Sequence, residues 1–150
     1  MGYRSDITAV FYTLHGHSPN KTPEENEQAG LRNIAMLDMY MRENFPEALR
    51  EESVDGDGLR RLAHGGRVIW EFILTNVKWY DTYDDVKAFE SFWSKFVDLA
   101  DATAAIEGDE PVSWGCEFTR IGENMEDIEE RTSVDSDWLL QVNRTIERNY

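Results

Sequence analysis

The densest hydrophobic pattern of the chain lies between Arg67 and Ala102, and its period changes midway. From Arg67 to Lys78, apolar residues occupy both alternating faces, which predicts a β-strand covered on much of both sides. After Asp81 the apolar residues recur at helical spacing. They are Val86, Phe89, Phe92, Trp93, Phe96, Val97 and Ala100. The pattern predicts a strand followed by an amphipathic helix with Thr82 as its cap, and the rest of the chain is arranged around this pair.

Two segments nearer the N-terminus also have clear patterns. Ser5–Leu14 carries apolar residues on both faces, as an interior strand does. Thr22 is followed by proline at the first helical position and by Glu25 at the third, which predicts a helix start with a capping box. Helical spacing continues to Phe45, and the residues after Pro46 predict a short further helical segment.

Three more strands are predicted in the C-terminal third. Residues 112–119 alternate apolar with polar positions, which indicates a strand with one buried and one solvent-facing side. Met125–Thr132 predicts an acidic edge strand, and the alternation from Trp138 to Ile146 predicts a last strand. Asp55–Gly66 begins and ends with glycine-rich turn signals, so we interpret it as a mobile loop.

The predicted order β-α-β-α-β-β-β indicates an α+β fold, with a mostly antiparallel sheet of about five strands and two main helices on one face. We expect a split βαβ arrangement related to the ferredoxin-like folds. The chain of 150 residues has the size of a single domain, 1–150, and needs no metal or disulfide to fold. Its single Cys116 alternates with Trp114 and Phe118, which predicts a buried structural thiol.

The net charge of −15, from 30 acidic and 15 basic residues, is distributed unevenly. Thirteen acidic residues lie between Asp98 and Asp137, against Arg120 and Arg131 alone. This charge argues against nonspecific binding to nucleic acid or to anionic membranes. No apolar run approaches ~18 residues, and the N-terminus lacks the pattern of a signal peptide. We therefore expect a cytoplasmic protein whose partners present a basic surface.

A cluster of carboxylates carries much of this negative charge. Its members are Glu117, Glu123, Glu126, Asp127, Glu129 and Glu130. Three interpretations stay open: a solvated face, a surface that docks on a basic partner, and a site for acid/base or metal chemistry. In an extended strand Asp127 and Glu129 would lie ~6.6 Å apart, close to the ~7 Å between successive phosphates, so nucleic-acid mimicry is compatible with the spacing. Tyr80 and Tyr83 are candidate aromatic anchors for a partner.

Positive charge is concentrated at Arg60, Arg61 and Arg67, with His64 between them. These arginines are candidates for binding the phosphates of a nucleotide or oligonucleotide. The interpretation that we favour is that they neutralise the acidic residues that precede them in the chain, which are Glu51, Glu52, Asp55 and Asp57.

Evidence for catalysis is sparse in the sequence. His15 and His17 would share one side of an extended loop and suit a metal-dependent hydrolase, but no third ligand is identifiable and zinc needs at least three. The stretch from Asp55 to Gly58 resembles a calcium loop, yet His64 occupies the position that requires glutamate, so we interpret it as a turn. The sequence contains no glycine-rich phosphate loop and no nucleophile motif. We predict no catalytic residue and no cofactor.

Three segments together carry a resemblance. They are Met1–Asp6, with the sequence MGYRSD; Val77–Asp81 with Asp85 and Val86; and Arg120–Asn124 with Glu126–Glu129. They resemble small uncharacterised proteins of bacteriophages and prophages, which open with a similar GYRSD segment and carry a similar RIGE segment before an acidic stretch. The resemblance implies a role in the cytoplasm of an infected bacterium. By analogy with small acidic early phage proteins, it implies an inhibitor of host defence or of host nucleic-acid machinery.

The leading hypothesis is a non-enzymatic phage-type binding protein, such as an anti-CRISPR or anti-restriction protein. Its acidic face would dock on a basic surface of a bacterial protein or nucleoprotein complex. The residues of that face are Glu123, Glu126, Asp127, Glu129 and Glu130. One alternative is a binder that sequesters nucleotides through Arg60, Arg61 and Arg67, and another is the metal-dependent hydrolase. The sequence is also compatible with a homodimer.

Overall fold

The computed structural model describes residues 2–14, 19–51, 57–101, 113–142 and 146–150. The elements in chain order are β1 (Ser5–Thr13), α1 (Pro23–Asn44), a 3-10 turn (Glu47–Leu49), β2 (Gly58–His64), β3 (Arg67–Val77), α2 (Asp84–Ala100), β4 (Trp114–Gly122), β5 (Ile128–Thr132), β6 (Leu140–Val142) and β7 (Ile146–Arg148). The predicted α+β fold is confirmed, as is the short helical segment after Pro46.

Five strands form one antiparallel sheet in the order β2-β3-β1-β4-β5. Strand β1 lies at its centre, between β3 and β4. Strand β3 separates β1 from β2, so β1, α1 and β2 form the expected split βαβ arrangement. Strand β5 is an edge strand, as predicted, and among the described strands it pairs only with β4. It begins at Ile128, so the predicted start at Met125 was wrong.

The main core lies between this sheet and both helices. Phe11 of β1 is at its centre and is fully buried. Its ring makes edge contacts at centroid distances of 5.0 to 6.3 Å with four aromatic rings, those of Phe45, Phe92, Trp93 and Phe96. Leu37 and Met41 of α1 belong to the same cluster. Both helices therefore pack on one face, as the patterns predict.

The opposite face of the sheet is covered by the C-terminal hairpin of β6 and β7. Leu139 and Leu140 pack there against Val10, Tyr12 and Ile69. The prediction of one strand from Trp138 to Ile146 was wrong: β6 begins at Leu140, β7 begins at Ile146, and residues 143–145 lie outside the described residues. The strand also cannot begin at Trp138, whose φ is 52°. Because this hairpin covers the face, the side of β4 predicted to face solvent is buried.

The predicted loop from Asp55 to Gly66 contains strand β2, so that prediction was wrong for Gly58–His64. Apolar alternation is absent from β2 because each of its faces carries an arginine. Arg60 pairs with Glu71 of β3, and Arg61 pairs with Asp38 of α1. Gly65 and Gly66 form the hairpin turn with φ values of 58° and 79°, which glycine adopts most readily. Residues 52–56 lie outside the described residues.

The two long helices begin differently. Thr22 and Glu25 form the predicted capping box at the start of α1. Helix α2 begins one residue later than Thr82 would require: its N-cap is Tyr83, which makes no side-chain capping bond, so the prediction of Thr82 as the cap was wrong. The aspartates at Asp84 and Asp85 lie in the first turn instead, where their charge interacts favourably with the helix dipole.

Cys116 is fully buried, as predicted for a structural thiol. Burial raises the pKa of this thiol to about 12. Within the described part of the chain, neither helix has the length and apolar character required to span a bilayer.

Candidate functional site

The acidic residues after β4 are organised around Arg120. This side chain donates to both carboxylate oxygens of Asp127, at 3.0 and 2.8 Å, and to Glu129 at 3.3 Å. Glu129 also lies 3.3 Å from Arg131, which makes a bidentate pair with Glu90 of α2 at 2.7 Å. Asp127 and Glu129 are the pair with the predicted phosphate-like spacing. Their negative charge is therefore compensated by the positive charge of Arg120 and Arg131.

Arg120 also changes the titration of its main partner. Its guanidinium, together with the Tyr3 hydroxyl, lowers the pKa of Asp127 from 3.8 to about 2. Because the folded-state pKa is below the unfolded value, the pair contributes its full stability above about pH 4 and loses it as the pH falls through about 2.

We expect Asp127→Asn to remove this contribution. The free energy of unfolding at pH 7 should fall by about 1 kcal/mol, since solvent screening reduces the value implied by the pKa shift alone. The variant should also lose less stability than the parent between about pH 4 and pH 2. Urea unfolding at several pH values measures both effects. Glu126→Gln, one residue earlier and exposed, is the control and should leave the pH profile unchanged; an equal effect there would contradict the assignment.

Tyr3 connects the acidic turn to the predicted aromatic anchors. Its hydroxyl donates to Asp127 at 2.5 Å and accepts the N–H of Asn124 at 3.1 Å. Its backbone N–H donates to the hydroxyl of Tyr80 at 2.7 Å. The next residue, Arg4, donates its backbone N–H to Glu123 at 2.8 Å. Glu123, Asp127 and Tyr80 are thus brought together, with Tyr3 between them.

The three segments that carry the resemblance meet at this end of the sheet. Gly122 makes their close approach feasible, because a Cβ atom there would collide with the Tyr3 hydroxyl and with the Asp127 carboxylate. Gly2 is also crowded, since a Cβ atom would lie 2.6 Å from the Tyr80 hydroxyl. The absence of a Cβ atom at Gly2 and Gly122 therefore allows these segments to contact each other.

Tyr83 is the exposed member of the predicted aromatic pair. Its ring contacts that of Tyr80 at a centroid distance of 5.1 Å, and 39% of the residue is exposed. It lines an open cavity of about 610 Å³ with Ala48, Ala88 and the two aspartates that begin α2. An exposed tyrosine beside carboxylates is suited to contact with a basic partner.

We call residues 123–132, the acidic turn and β5, the β5 margin. Glu126 and Glu130 are exposed on it. So are two large apolar residues, Met125 at 75% and Ile128 at 38%. Ile128 and Glu130 share the face of β5 opposite the helices, because residues two apart in a strand lie on one side. Of the five predicted carboxylates, Glu123, Glu126 and Glu130 are exposed. Glu123, Asp127 and Glu129 hold the local structure through hydrogen bonds.

The three predicted ligand-binding arginines do not converge. Arg60 donates to Glu71 at 2.8 Å, on the face covered by the C-terminal hairpin. Arg61 donates to Asp38 at 2.9 and 3.0 Å, on the helix side, and Arg67 donates to a third carboxylate, Asp137, at 2.7 Å. Their counter-charges differ from the acidic residues that precede them in the sequence.

Two carboxylates, Glu71 and Glu117, have a buried structural role that was not predicted from the sequence. They are 1% and 2% exposed and lie opposite Val10 on its two neighbouring strands. Glu71 accepts from Arg60, from Arg148 at 3.1 Å and from the Tyr150 hydroxyl. The glutamate among the apolar residues of β3 was a sign of a buried carboxylate in the sequence. Its partners could not be identified in the same way, because they come from distant parts of the chain.

Glu117 has three donors. It accepts from the Tyr12 hydroxyl at 2.6 Å and from the backbone N–H groups of Leu139 and Leu140, each at 2.9 Å. Burial, reinforced by the neighbouring Glu117, raises the pKa of Tyr12, so its hydroxyl stays neutral and donates. Glu71 and Glu117 therefore fasten the two ends of the C-terminal segment to the sheet.

The residues predicted for a metal site cannot be placed, since His15 and His17 lie outside the described residues. Among the residues that are described, no group of three or more histidine, cysteine, aspartate or glutamate side chains could hold a metal ion.

Comparison of the chain with protein-family models, with curated proteins and with solved structures gives no match.

Proposed function

We propose that the protein is a non-enzymatic binding protein of bacteriophage type that docks its β5 margin on a basic surface of a bacterial protein or nucleoprotein complex. Its role in the host cytoplasm is to inhibit a defence complex or another nucleic-acid-binding complex. One observation carries the proposal: Glu126 and Glu130 are exposed close in sequence to the exposed apolar residues Met125 and Ile128, on the acidic turn and the strand that follows it.

This mixture of side chains suits protein recognition. Apolar groups supply most of the affinity of an interface through burial, whereas charges at its rim set orientation and the rate of encounter. The net charge of −15 would attract a basic partner over a distance comparable with the Debye length, about 8 Å at physiological salt. We therefore expect association to be fast and sensitive to salt.

The carboxylates that accept hydrogen bonds support Glu126 and Glu130. Asp127 and Glu129 fix the turn and strand through Arg120, and Glu123 fixes the turn to the N-terminal segment. A surface that is already ordered loses less conformational entropy on binding. The charges along β5 also disfavour addition of another strand to its unpaired edge, so docking through side chains is the mode we propose.

The test is capture of partners from a bacterial lysate, with mass spectrometry of the bound proteins. The margin variant Glu126→Lys, Glu130→Lys reverses two of the exposed charges and leaves the contacts of Arg120 and of Glu123 intact. The matched control variant, Glu24→Lys, Glu27→Lys, makes the same change in net charge at two exposed positions on α1.

We expect the parent and the control variant to retain the same basic protein and the margin variant to retain about tenfold less. Equal capture by the margin variant, with its melting temperature unchanged, would contradict the proposal. So would an equal loss in the control variant, since that would show an effect of net charge alone.

A further inference from the structure

The loop that joins β5 to β6, residues 133–139, presents the most exposed tryptophan of the protein. We call it the Trp138 loop. Trp138 is 69% exposed, and Val134 in the same loop is 82% exposed. Three of the other tryptophans, Trp70, Trp93 and Trp114, are at most 8% exposed, and Trp79 is partly buried. A large aromatic residue so far in solvent contributes little to the folding of this chain.

The backbone at Trp138 is in an unfavourable conformation. Its φ of 52° lies in the left-handed region, which bulky residues rarely adopt. Among the described residues, the other non-glycine residue with positive φ is Asn76, an amino acid that tolerates this conformation well. Glycine at position 138 would fit the backbone with less strain. Strain of this kind at an exposed side chain is typical of functional sites.

The rest of the protein holds the loop in this conformation. Six backbone N–H groups between Ser133 and Leu140 donate to fixed acceptors at 2.8 to 3.1 Å. The acceptors are the Cys116 carbonyl, the Asp101 carboxylate, the Tyr12 hydroxyl, the Ser136 hydroxyl and, for two of the groups, the Glu117 carboxylate. The buried Tyr12 and Glu117 therefore position the loop, and the indole stays exposed at a fixed place.

We propose that the Trp138 loop is a binding site for an arginine side chain of the protein's partner, with the guanidinium stacked on the indole of Trp138 and paired with the carboxylate of Asp135. The inference rests on the proposed function in taking the partner to be basic. It adds a second contact to that of the β5 margin, at the other end of β5, and it specifies the chemistry of the partner's side chain.

Charge complementarity identifies the occupant. The loop contains Asp135 and Asp137 and no basic residue, and both aspartates are exposed. Asp137 is paired with Arg67, so Asp135 is the carboxylate that we assign to the partner. Tryptophan is the side chain that stacks best with cations, and arginine stacks and pairs with a carboxylate at the same time. A second copy of this chain is disfavoured by its own charge of −15.

The protein already uses this combination internally. Arg67 pairs with Asp137 at 2.7 Å while its guanidinium lies 5.9 Å from the ring centre of Tyr12. Arg131 pairs with Glu90 while lying 4.1 Å from the ring centre of Phe118 and 5.1 Å from that of Trp93. An arginine from a partner would repeat the arrangement on Trp138, whose ring is still exposed.

The test uses a fluorescein-labelled, end-blocked peptide of alternating glycine and arginine, with fluorescence anisotropy at low salt as the readout. We expect Trp138→Gly to raise the dissociation constant about tenfold, because stacking is lost. The same variant should melt about 2–4 °C higher than the parent, because the backbone strain is relieved. Asp135→Asn should weaken the peptide about threefold, and a lysine peptide should bind the parent more weakly than the arginine peptide.

Unchanged peptide affinity in Trp138→Gly would overturn the site. A lower melting temperature in that variant would overturn the inference from strain, and equal affinity for lysine and arginine peptides would overturn the stacking. The margin variant Glu126→Lys, Glu130→Lys separates this inference from the proposed function. If the margin variant loses capture of the lysate partner while Trp138→Gly retains it, the Trp138 site is wrong and the function of the β5 margin stands. If Trp138→Gly loses capture while the margin variant retains it, the function of the β5 margin is wrong and the Trp138 site stands.

Discussion

Replacing Glu117 by alanine is expected to lower the free energy of unfolding by about 3–5 kcal/mol. The carboxylate is 2% exposed and accepts three hydrogen bonds, one from Tyr12 and two from the backbone at Leu139 and Leu140. Alanine removes all three acceptor contacts and leaves the donors buried in a space that the shorter side chain cannot fill. A charged residue with full hydrogen bonding is thus the main attachment of the Trp138 loop to the sheet.

Denaturant unfolding measures this effect, and two variants serve as controls. Glu117→Gln keeps the size and one acceptor oxygen but turns an amide N–H₂ toward a donor, so we expect about half the loss. Glu130→Ala, exposed on the neighbouring strand, should change stability by no more than about 0.5 kcal/mol. A loss below about 1 kcal/mol in Glu117→Ala would show that its hydrogen bonds do not hold the segment.

Phe11→Ala is expected to have an effect of similar size in the main core, about 3–5 kcal/mol, with a fall in melting temperature of about 10–15 °C. The ring is fully buried and contacts four other rings, three contributed by α2 and one by Phe45, the C-cap residue of α1. Its removal leaves a cavity that rigid aromatic neighbours cannot close.

The matched control truncates an apolar residue of α1 that does not face the core. Met39 is 61% exposed, so Met39→Ala should leave stability within about 0.5 kcal/mol of the parent. Calorimetry and denaturant unfolding would both report the difference. Similar losses in the two variants would contradict the assignment of Phe11 to the centre of the core.

The elements with a regular apolar period were predictable from the sequence. Strands β1 and β3, helix α2 and the capping box at Thr22 all occur where the patterns placed them. These elements bury their own apolar side chains, so the pattern records the burial directly. The antiparallel sheet and the shared face of the two helices follow from the same pattern.

The elements stabilised by charge were not predictable in the same way. Strand β2 lacks alternation because Arg60 and Arg61 find carboxylates on opposite faces of the sheet. Glu117 was placed on a solvent-facing side because its donors come from residues more than twenty positions later. A pattern of neighbouring residues contains no information about such distant partners, and a buried glutamate is rare enough that exposure is the better expectation.

The candidate site was predicted in part. The sequence identified the acidic residues of the β5 margin, but not that Asp127 and Glu129 bind Arg120 while Glu126 and Glu130 face solvent. It also gave no sign that Tyr3 lies between Asp127 and Tyr80. Side-chain direction depends on the pairing of β4 with β5 and on the path of the N-terminal segment, which only the fold determines.

In the proposed function, the β5 margin is the surface that contacts the partner. Hydrogen exchange of the protein alone and bound to the captured partner tests it most directly. We expect slower exchange at residues 123–132 and in the Trp138 loop on binding, with no change along the exposed face of α1. Slower exchange confined to α1, with the β5 margin unchanged, would contradict it.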